Sequence, residues 1–417
     1  MPPLANRRLD IGVLDPDVYA NGNPATYGLP LDQYAYLREN EPVYLQEFND
    51  PLLIDRVRVI SRYEDISAID RDPDTFAFDR GHLNIWAINP IDPRSGGQPA
   101  MLTADIENHK RQRRVISRGF TPNVVRRLEE KFRDYARTVV DEALTKGTFN
   151  FVTDVAHAMP MEALGDVLGV PPAERAQFFN WVDRFAAPFD TRITPSFEAV
   201  LEAIGNLIDY STDLAARKRV SPENDVISKM VQADADDPLS EEEMLGNIVL
   251  LASGAAESTR TALSHGMHQL MRDPDQMAWL RAHADDIPVT ALQEIVRIST
   301  PFLHFVRTVT KDIEVHGQPI SAGERVCILL GAGNFDPEVF RDADVFDLSR
   351  DTDPPHLSFG RGPHTCLGKH VAVLEMKILL EELLQRTRDI RPAGEISYVR
   401  DVFARGVYEL PITITPV

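Results

Sequence analysis

Residues 359–368 read Phe-Gly-Arg-Gly-Pro-His-Thr-Cys-Leu-Gly (FGRGPHTCLG), and the fold is decided here. Gly360 and Gly362 permit a tight backbone path that a side chain would obstruct. Cys366 stands where helical periodicity begins, because VAVLEMKILLEELLQR (371–386) is an amphipathic helix pattern. A cysteine at a helix N-terminus faces free N–H groups and the positive end of the helix dipole. Both favour thiolate over thiol. Gly368 leaves room for something flat to approach the backbone, and a soft thiolate suits iron. A lone cysteine is more often a buried, inert residue. The other cysteine, Cys327, sits in an alternating apolar strand and reads as core.

The pattern around Cys366 reverses that default. At every fixed position it matches Phe-Gly-x-Gly-x-His-x-Cys-x-Gly, and so resembles the signature of the cytochrome P-450 family. The resemblance runs from the segment before His109 to the closing strand. It implies the family's triangular fold, mainly α with a minor β component and a long central buried helix. It implies one domain over residues 1–417, with no separable reductase or membrane segment. It implies heme b (iron protoporphyrin IX), with Cys366 as metal ligand and Phe359, Gly360, His364 and Gly368 around it. A thiolate ligand pushes electron density toward O–O cleavage. The implied activity is insertion of one oxygen atom from O2 into a bound apolar molecule. Electrons would come from a ferredoxin-type iron–sulfur protein with its NAD(P)H reductase.

Working outward, Glu294-Ile295-Val296-Arg297 resembles the family's Glu-x-x-Arg pair, and spacing of three puts both side chains on one helix face. Arg350, in FDLSR, resembles the arginine that completes this buried network. Their implied role is structural, locking the cysteine loop. The two propionates of a haem need cationic or hydrogen-bonding partners. The resemblance supplies His109 and Arg113 in ENHKRQRR, Arg307 ten residues after Arg297, and His356 in HLSFG. Each alone would read as a solvated charge.

Ser240 followed by Glu243 forms a capping box that opens an apolar run, NIVLLASGAAESTRTALSHGMHQLM (247–271). A helix reaching about Met271 far exceeds the usual ~12 residues, and it is apolar on most sides, as a central buried helix is. The family pattern small–glycine–x–acid–threonine falls on Gly254, Ala255, Ala256, Glu257 and Ser258, followed by Thr259. The implied oxygen-activation residues are Glu257, Ser258 and Thr259, with Ala255 against the haem. Two departures stand out. Ala255 replaces glycine, and Ser258 replaces threonine. Serine keeps the hydroxyl but loses the methyl that restricts its rotamer.

The rest of the chain shows VYLQEF (43–48) as strand, VRVISRYEDISAI (57–69) as strand and helix, and mostly helix from Glu107 to Val220. Strands with turns at Gly317 and Gly323 follow Asp312, and GVYELPITITPV (406–417) closes as strand. Residues 81–100, rich in Gly, Pro and Asn, form a long irregular loop of the kind that is often functional. By the family's layout the substrate pocket falls on Leu83, Ile85, Trp86, Ile88, Leu251, Phe302, Leu303, Phe305 and Phe403. These suit a hydrophobic small molecule, and the segment DIENHKRQRRVISRGFTP (105–122) resembles bacterial family members acting on steroids and terpenoids, which implies a terpenoid, steroid or aromatic substrate. His304 reads as a surface histidine.

A formal net charge of -20 argues against general nucleic-acid binding. Two cysteines make a disulfide framework implausible. The N-terminus has charges and prolines where a signal peptide is apolar, and no apolar run approaches the ~18 residues of a membrane span. A cytoplasmic protein is expected. Arg111, Arg114, Arg118, Arg361 and Lys369 would form a docking face for an acidic partner, or an ordinary solvated face. Two competing activities use the same haem: a hydrogen-peroxide-dependent peroxygenase, and a non-catalytic sensor.

Overall fold

A computed structural model describes residues 11–80, 82–87, 97–232 and 238–417. The helices that frame the site are α1 (Ile106–Ile116), α2 (Pro122–Lys146), α3 (Ala158–Leu168), α4 (Glu241–Arg272), α5 (Val289–Ser299) and α6 (Lys369–Arg386). Proline occupies the first position of α2, where its missing N–H costs nothing. The expected break at Pro171 separates α3 from a helix beginning at Pro172.

At 32 residues α4 is the axis of the molecule. Ser240 Oγ accepts from the Glu243 backbone N–H at 3.1 Å, and Glu243 accepts from the Ser240 N–H at 2.9 Å. These reciprocal bonds satisfy two of the free donors at the helix start. The helix packs against α3, α5 and α6, while α6 rests on α2. Its length and apolar character both follow from this enclosure, since a helix wrapped by neighbours needs little polar surface.

The strands gather to one side. A five-stranded sheet combines β1 (Val43–Glu47), β2 (Arg56–Ile60), β3 (Phe76–Ala77), β4 (His304–Val309) and β5 (Arg325–Leu329) in the order β1-β2-β5-β4-β3. β2 and β5 run parallel, with Val59 opposite Cys327, and the other pairs are antiparallel. Cys327 is completely buried, in keeping with an alternating apolar strand. The C-terminal run divides at Leu410 into Val407–Glu409 and Pro411–Pro416. The second piece lies between Thr148–Asn150 and Thr387–Pro392. Helices dominate and the sheets are small, as the periodicity predicts. No helix among the described residues is long and apolar enough to cross a membrane.

Candidate functional site

The cysteine loop is shaped by two glycines with left-handed backbone, Gly360 (φ 67°) and Gly362 (φ 64°). A Cβ on Gly362 would lie 2.6 Å from the Asp70 carbonyl oxygen, so only glycine fits. The loop closes on itself where the Cys366 N–H donates to the Phe359 carbonyl at 2.7 Å. Asp70 pins it from outside. One carboxylate oxygen accepts the Arg361 N–H at 3.1 Å, and the other accepts from Arg307 at 2.7 Å. Burial raises the Asp70 carboxyl and lowers the Arg307 guanidinium, and the attraction between them opposes both shifts.

Cys366 lies three residues before the first residue of α6. Its Sγ is accessible from an internal cavity and enclosed by protein elsewhere. Burial pushes the thiol up. The backbone N–H groups of Gly368 and Lys369 and the Arg113 guanidinium pull it down.

That cavity measures about 230 Å³. Its wall joins Phe359, Gly360, His364, Cys366 and Gly368 of the loop to Leu251, Gly254, Ala255, Ser258 and Thr259 of α4. His109 and Arg113 enter from α1, Arg307 from β4, and Phe302 and Phe305 from the segment after α5. Ser258 Oγ donates to the Gly254 carbonyl at 2.8 Å, four residues back along α4. Arg113 Nη2 donates to the Thr365 carbonyl at 2.7 Å, and His109 lies between the carbonyls of Met101 (2.7 Å) and Pro363 (3.1 Å).

The wall fits a large, flat, anionic metal macrocycle. A Cβ added to Gly254 or to Gly368 would meet nothing within 4 Å, so there is open space at both surfaces. The lining offers one accessible thiol, two arginines, and His364, whose buried Nδ1 has no hydrogen-bond partner. The rest is mainly apolar.

Below the loop, Glu294 and Arg297 of α5 are 2% exposed. Arg297 forms a bidentate pair with Glu294 at 2.7 and 2.8 Å, and Arg350 Nε reaches the same carboxylate at 3.1 Å.

Other expected residues lie elsewhere. Leu83, Trp86, Glu257 and Phe403 line a second cavity of about 90 Å³, which shares Gly254, Phe302 and Phe305 with the first. Glu257 is held by Arg260 and accepts from Thr261 Oγ1 at 3.2 Å. Ile85 and Leu303 are fully buried and line neither cavity. Both point into packing because their neighbours along the chain take the cavity side. Ile88 lies outside the described residues. His356 also stays away from the first cavity and bonds Gln293 Oε1 at 2.8 Å. His304 is not a surface residue. It is fully buried, bonds the Val402 carbonyl at 3.1 Å, and burial pushes its imidazole down to about 3. Arg111 is drawn off the supposed docking face by ion pairing with Glu243.

Two charged residues at the site escape a reading of the sequence. Asp70 had no signal, since its partner Arg307 is 237 positions away. Glu375 had one, a single acid inside the apolar run VAVLEMKILL. It lines the first cavity from α6, where burial pushes its carboxyl up to about 8 against a hydrogen bond from Thr259. A carboxyl raised in this way stays protonated at pH 7. The stability that it contributes is full below its unfolded value near 4.5 and is lost as pH rises through about 8. Replacement by Gln, read as urea midpoint against pH, flattens the profile across that window. An unchanged slope places the proton elsewhere.

Comparison with known proteins agrees on one family. The family model for "Cytochrome P450" matches residues 55–389. A steroid C26-monooxygenase of Rhodococcus jostii is 31% identical over 412 residues, covering 95% of this chain and 83% of the relative. A methyl-branched lipid omega-hydroxylase of Mycobacterium bovis is 31% identical, covering 85% of this chain and 83% of the relative. Among solved structures, a Mycobacterium marinum cytochrome P450 in complex with pseudoionone superposes with a TM-score of 0.88. It is 30% identical, over 99% of this chain and all of the other.

Proposed function

This chain belongs to the cytochrome P450 family and is a haem-dependent monooxygenase; from that premise we propose that it hydroxylates a hydrophobic small molecule of steroid, terpenoid or branched-lipid type. The observation that carries the reading is the single cavity whose wall joins the accessible Cys366 thiol to Gly254, Ala255, Ser258 and Thr259. The relatives named for steroid and branched-lipid oxidation, and the bound pseudoionone of the solved structure, support the substrate class.

When bound, haem supplies oxygen activation and one-electron chemistry. In this reading Cys366 holds the iron through Sγ, with the Gly368 and Lys369 N–H groups stabilising the thiolate. Arg113 commits one N–H to the Thr365 carbonyl, which leaves other donors of its guanidinium for a propionate. Arg307 already holds Asp70, so its part is shared between the protein and the cofactor.

Ser258 lies on the cavity wall with its hydroxyl proton directed at the Gly254 carbonyl. Its lone pairs are thereby available to accept a hydrogen bond from a water in the cavity. Glu257, tied to Arg260 and facing the adjoining cavity, is a local acid that can exchange protons with water there. Replacing Ser258 with Ala is expected to lower product per reduced nicotinamide about tenfold. This is below the ~10²–10⁴ typical of a proton-delivering group, because Thr259 and water remain. Coupling that does not change removes Ser258 from proton delivery.

Electrons are assigned to a ferredoxin-type protein with its NAD(P)H reductase. Arg114 and Arg118, both exposed at the end of α1, supply local positive charge on an acidic chain. Reconstitution with such a pair, compared with hydrogen peroxide alone across a panel of steroids and branched lipids, tests the reading. Turnover with peroxide and none with the electron donors favours a peroxygenase. Absence of a thiolate-type carbon monoxide band in the reduced protein overturns the haem-thiolate assignment.

A further inference from the structure

The two cavities meet along one edge of α4. Leu251, Ala255, Ser258 and Ala262 line the first cavity only, and Ser253 and Glu257 line the second only. Leu250 and Gly254 line both. At about 3.6 residues per turn these two stand one above the other, on the ridge between the two faces of the helix. Leu250 fills its place on the ridge with a side chain. Gly254 has none, and a Cβ there would meet no atom within 4 Å.

Packing does not account for this glycine. A Cβ on Gly246 would collide with the Pro99 carbonyl oxygen, and one on Gly266 would lie 2.6 Å from Ile295 Cγ2, so a neighbouring segment dictates both of those. A glycine inside a helix is destabilising relative to alanine, and at Gly254 no close approach offsets that cost. The Ser258 hydroxyl does not require it either, because the group that it bonds is the Gly254 backbone carbonyl, which any residue supplies. What the missing side chain provides is the gap itself.

The rest of the border is occupied. Leu102, Phe302 and Phe305 are the other residues common to both walls. Phe302 and Phe305 are braced on Phe403, with ring centroids 5.0 and 5.5 Å apart. Beyond the gap, the second cavity is walled mainly by leucines and aromatic rings. No Lys, Arg or His among the described residues lines it, and its one carboxylate, Glu257, is held by Arg260 and Thr261. A charged group placed there would lose its water without gaining a free counter-ion.

We propose that the gap over Gly254 is a passage through which one substrate molecule spans both cavities, and that Gly254 thereby sets the length of substrate the enzyme accepts. The inference rests on the monooxygenase reading of the first cavity and deepens it. The substrate reacts at one end in the first cavity, and its far end, in the second, is an uncharged hydrocarbon group.

The test uses haem-loaded protein and three probes, toluene, hexylbenzene and 6-phenylhexanoate. Dissociation constants come from the haem spectral shift and, independently, from calorimetry. Hexylbenzene is expected to bind at least about a hundredfold tighter than toluene, because each buried methylene is worth roughly fourfold in affinity. The carboxylate is expected to bind no tighter than toluene. Gly254→Leu gives the ridge the side chain that Leu250 carries one turn earlier, and is expected to cut the ratio of hexylbenzene to toluene affinity by at least about tenfold. Gly254→Ala is expected to fall between, and carries the comparison if the Leu variant does not take up haem. Ala186→Leu fills the second cavity from a wall that the first does not share, and is expected to cut the same ratio. Gly254→Ala is also expected to hold its haem and to keep at least the wild-type urea midpoint, since its methyl meets open space. Equal affinity for toluene and hexylbenzene, a ratio that the Gly254 variants or Ala186→Leu leave unchanged, or binding of 6-phenylhexanoate tighter than that of toluene overturns the proposal. So does loss of haem or a lowered midpoint in Gly254→Ala, which would assign the gap to the cofactor or to packing. Failure of the monooxygenase reading is seen separately, as a missing thiolate-type carbon monoxide band, while calorimetry still ranks the probes.

Discussion

Replacing Cys366 with His yields a protein that takes up haem but loses the thiolate-type carbon monoxide band, and monooxygenation falls by more than about a thousandfold, roughly 4 kcal/mol in the barrier. The thiolate is the one soft anionic ligand on the cavity wall, and no neutral nitrogen donates electron density as strongly toward O–O cleavage. Imidazole still binds iron, so the variant separates loss of cofactor from loss of chemistry. The control is Cys327→Ala. Cys327 is completely buried on β5, and burial drives its thiol far above the usual range, so it carries no thiolate. That variant is expected to keep the band position and the turnover. A Cys366→His protein that retains the thiolate-type band sinks the assignment.

What a linear reading reaches depends on the range of the interaction that decides each residue. The cysteine loop was legible because its requirements are local. Gly360 and Gly362 need positive φ, and the N–H groups over Cys366 belong to Gly368 and Lys369, two and three residues further on. The start of α4 was equally legible, since Ser240 and Glu243 cap each other within three residues. Periodicity then carried the helix to about Met271, and α4 ends at Arg272.

Legibility ended where the partner is distant or where only one face of a segment meets the cavity. His304 reads as a polar residue next to apolar ones. It is buried because β4 lies between β5 and the chain around Val402, which a linear reading does not place. His356 stands three residues before Phe359, yet it turns to Gln293, whose position depends on how α5 docks. Leu83, Ile85 and Trp86 were each expected to line the pocket. The chain bends through Leu83–Ile85, so no simple alternation holds: Ile85 enters the core while Leu83, Asn84 and Trp86 reach the second cavity. The polar residue between them, Asn84, drew no attention among the apolar candidates.

The second large effect is expected at Arg297. All five of its N–H donors have acceptors: Nε and Nη2 on Glu294, Nη1 on the Asn334 and Ala343 carbonyls at 2.8 Å each, and Nη2 again on Val345 at 3.2 Å. The residue therefore sews α5 to the segment that leads back to the cysteine loop. From Asn334 the chain of bonds continues, since its Oδ1 accepts the Leu357 N–H at 2.7 Å and its Nδ2 donates to Ser358 Oγ at 2.8 Å. Arg297→Leu removes the buried counter-charge of Glu294 and leaves the Asn334 and Ala343 carbonyls unmet, while the Val345 carbonyl keeps its bond from Arg350 at 2.9 Å. A loss of about 3–5 kcal/mol in unfolding free energy is expected, with weakened haem retention because the loop is the far end of the same network. Arg297→Lys keeps the charge but cannot span Glu294 and the carbonyls together, so it falls between wild type and Leu. The decisive comparison is the double variant Glu294→Gln with Arg297→Leu. Removing both charges leaves no fully buried uncompensated ion, only the partly exposed Arg350 without its carboxylate, so the double variant is expected to be more stable than Arg297→Leu alone, a coupling visible only if the pair acts as a unit. Arg350 is partly exposed and shares the same carboxylate, so Arg350→Ala costs less, about 1 kcal/mol. Equal urea midpoints for the Arg297→Leu and Arg350→Ala variants would mean that the network's weight lies in backbone packing and not in the buried ion pair.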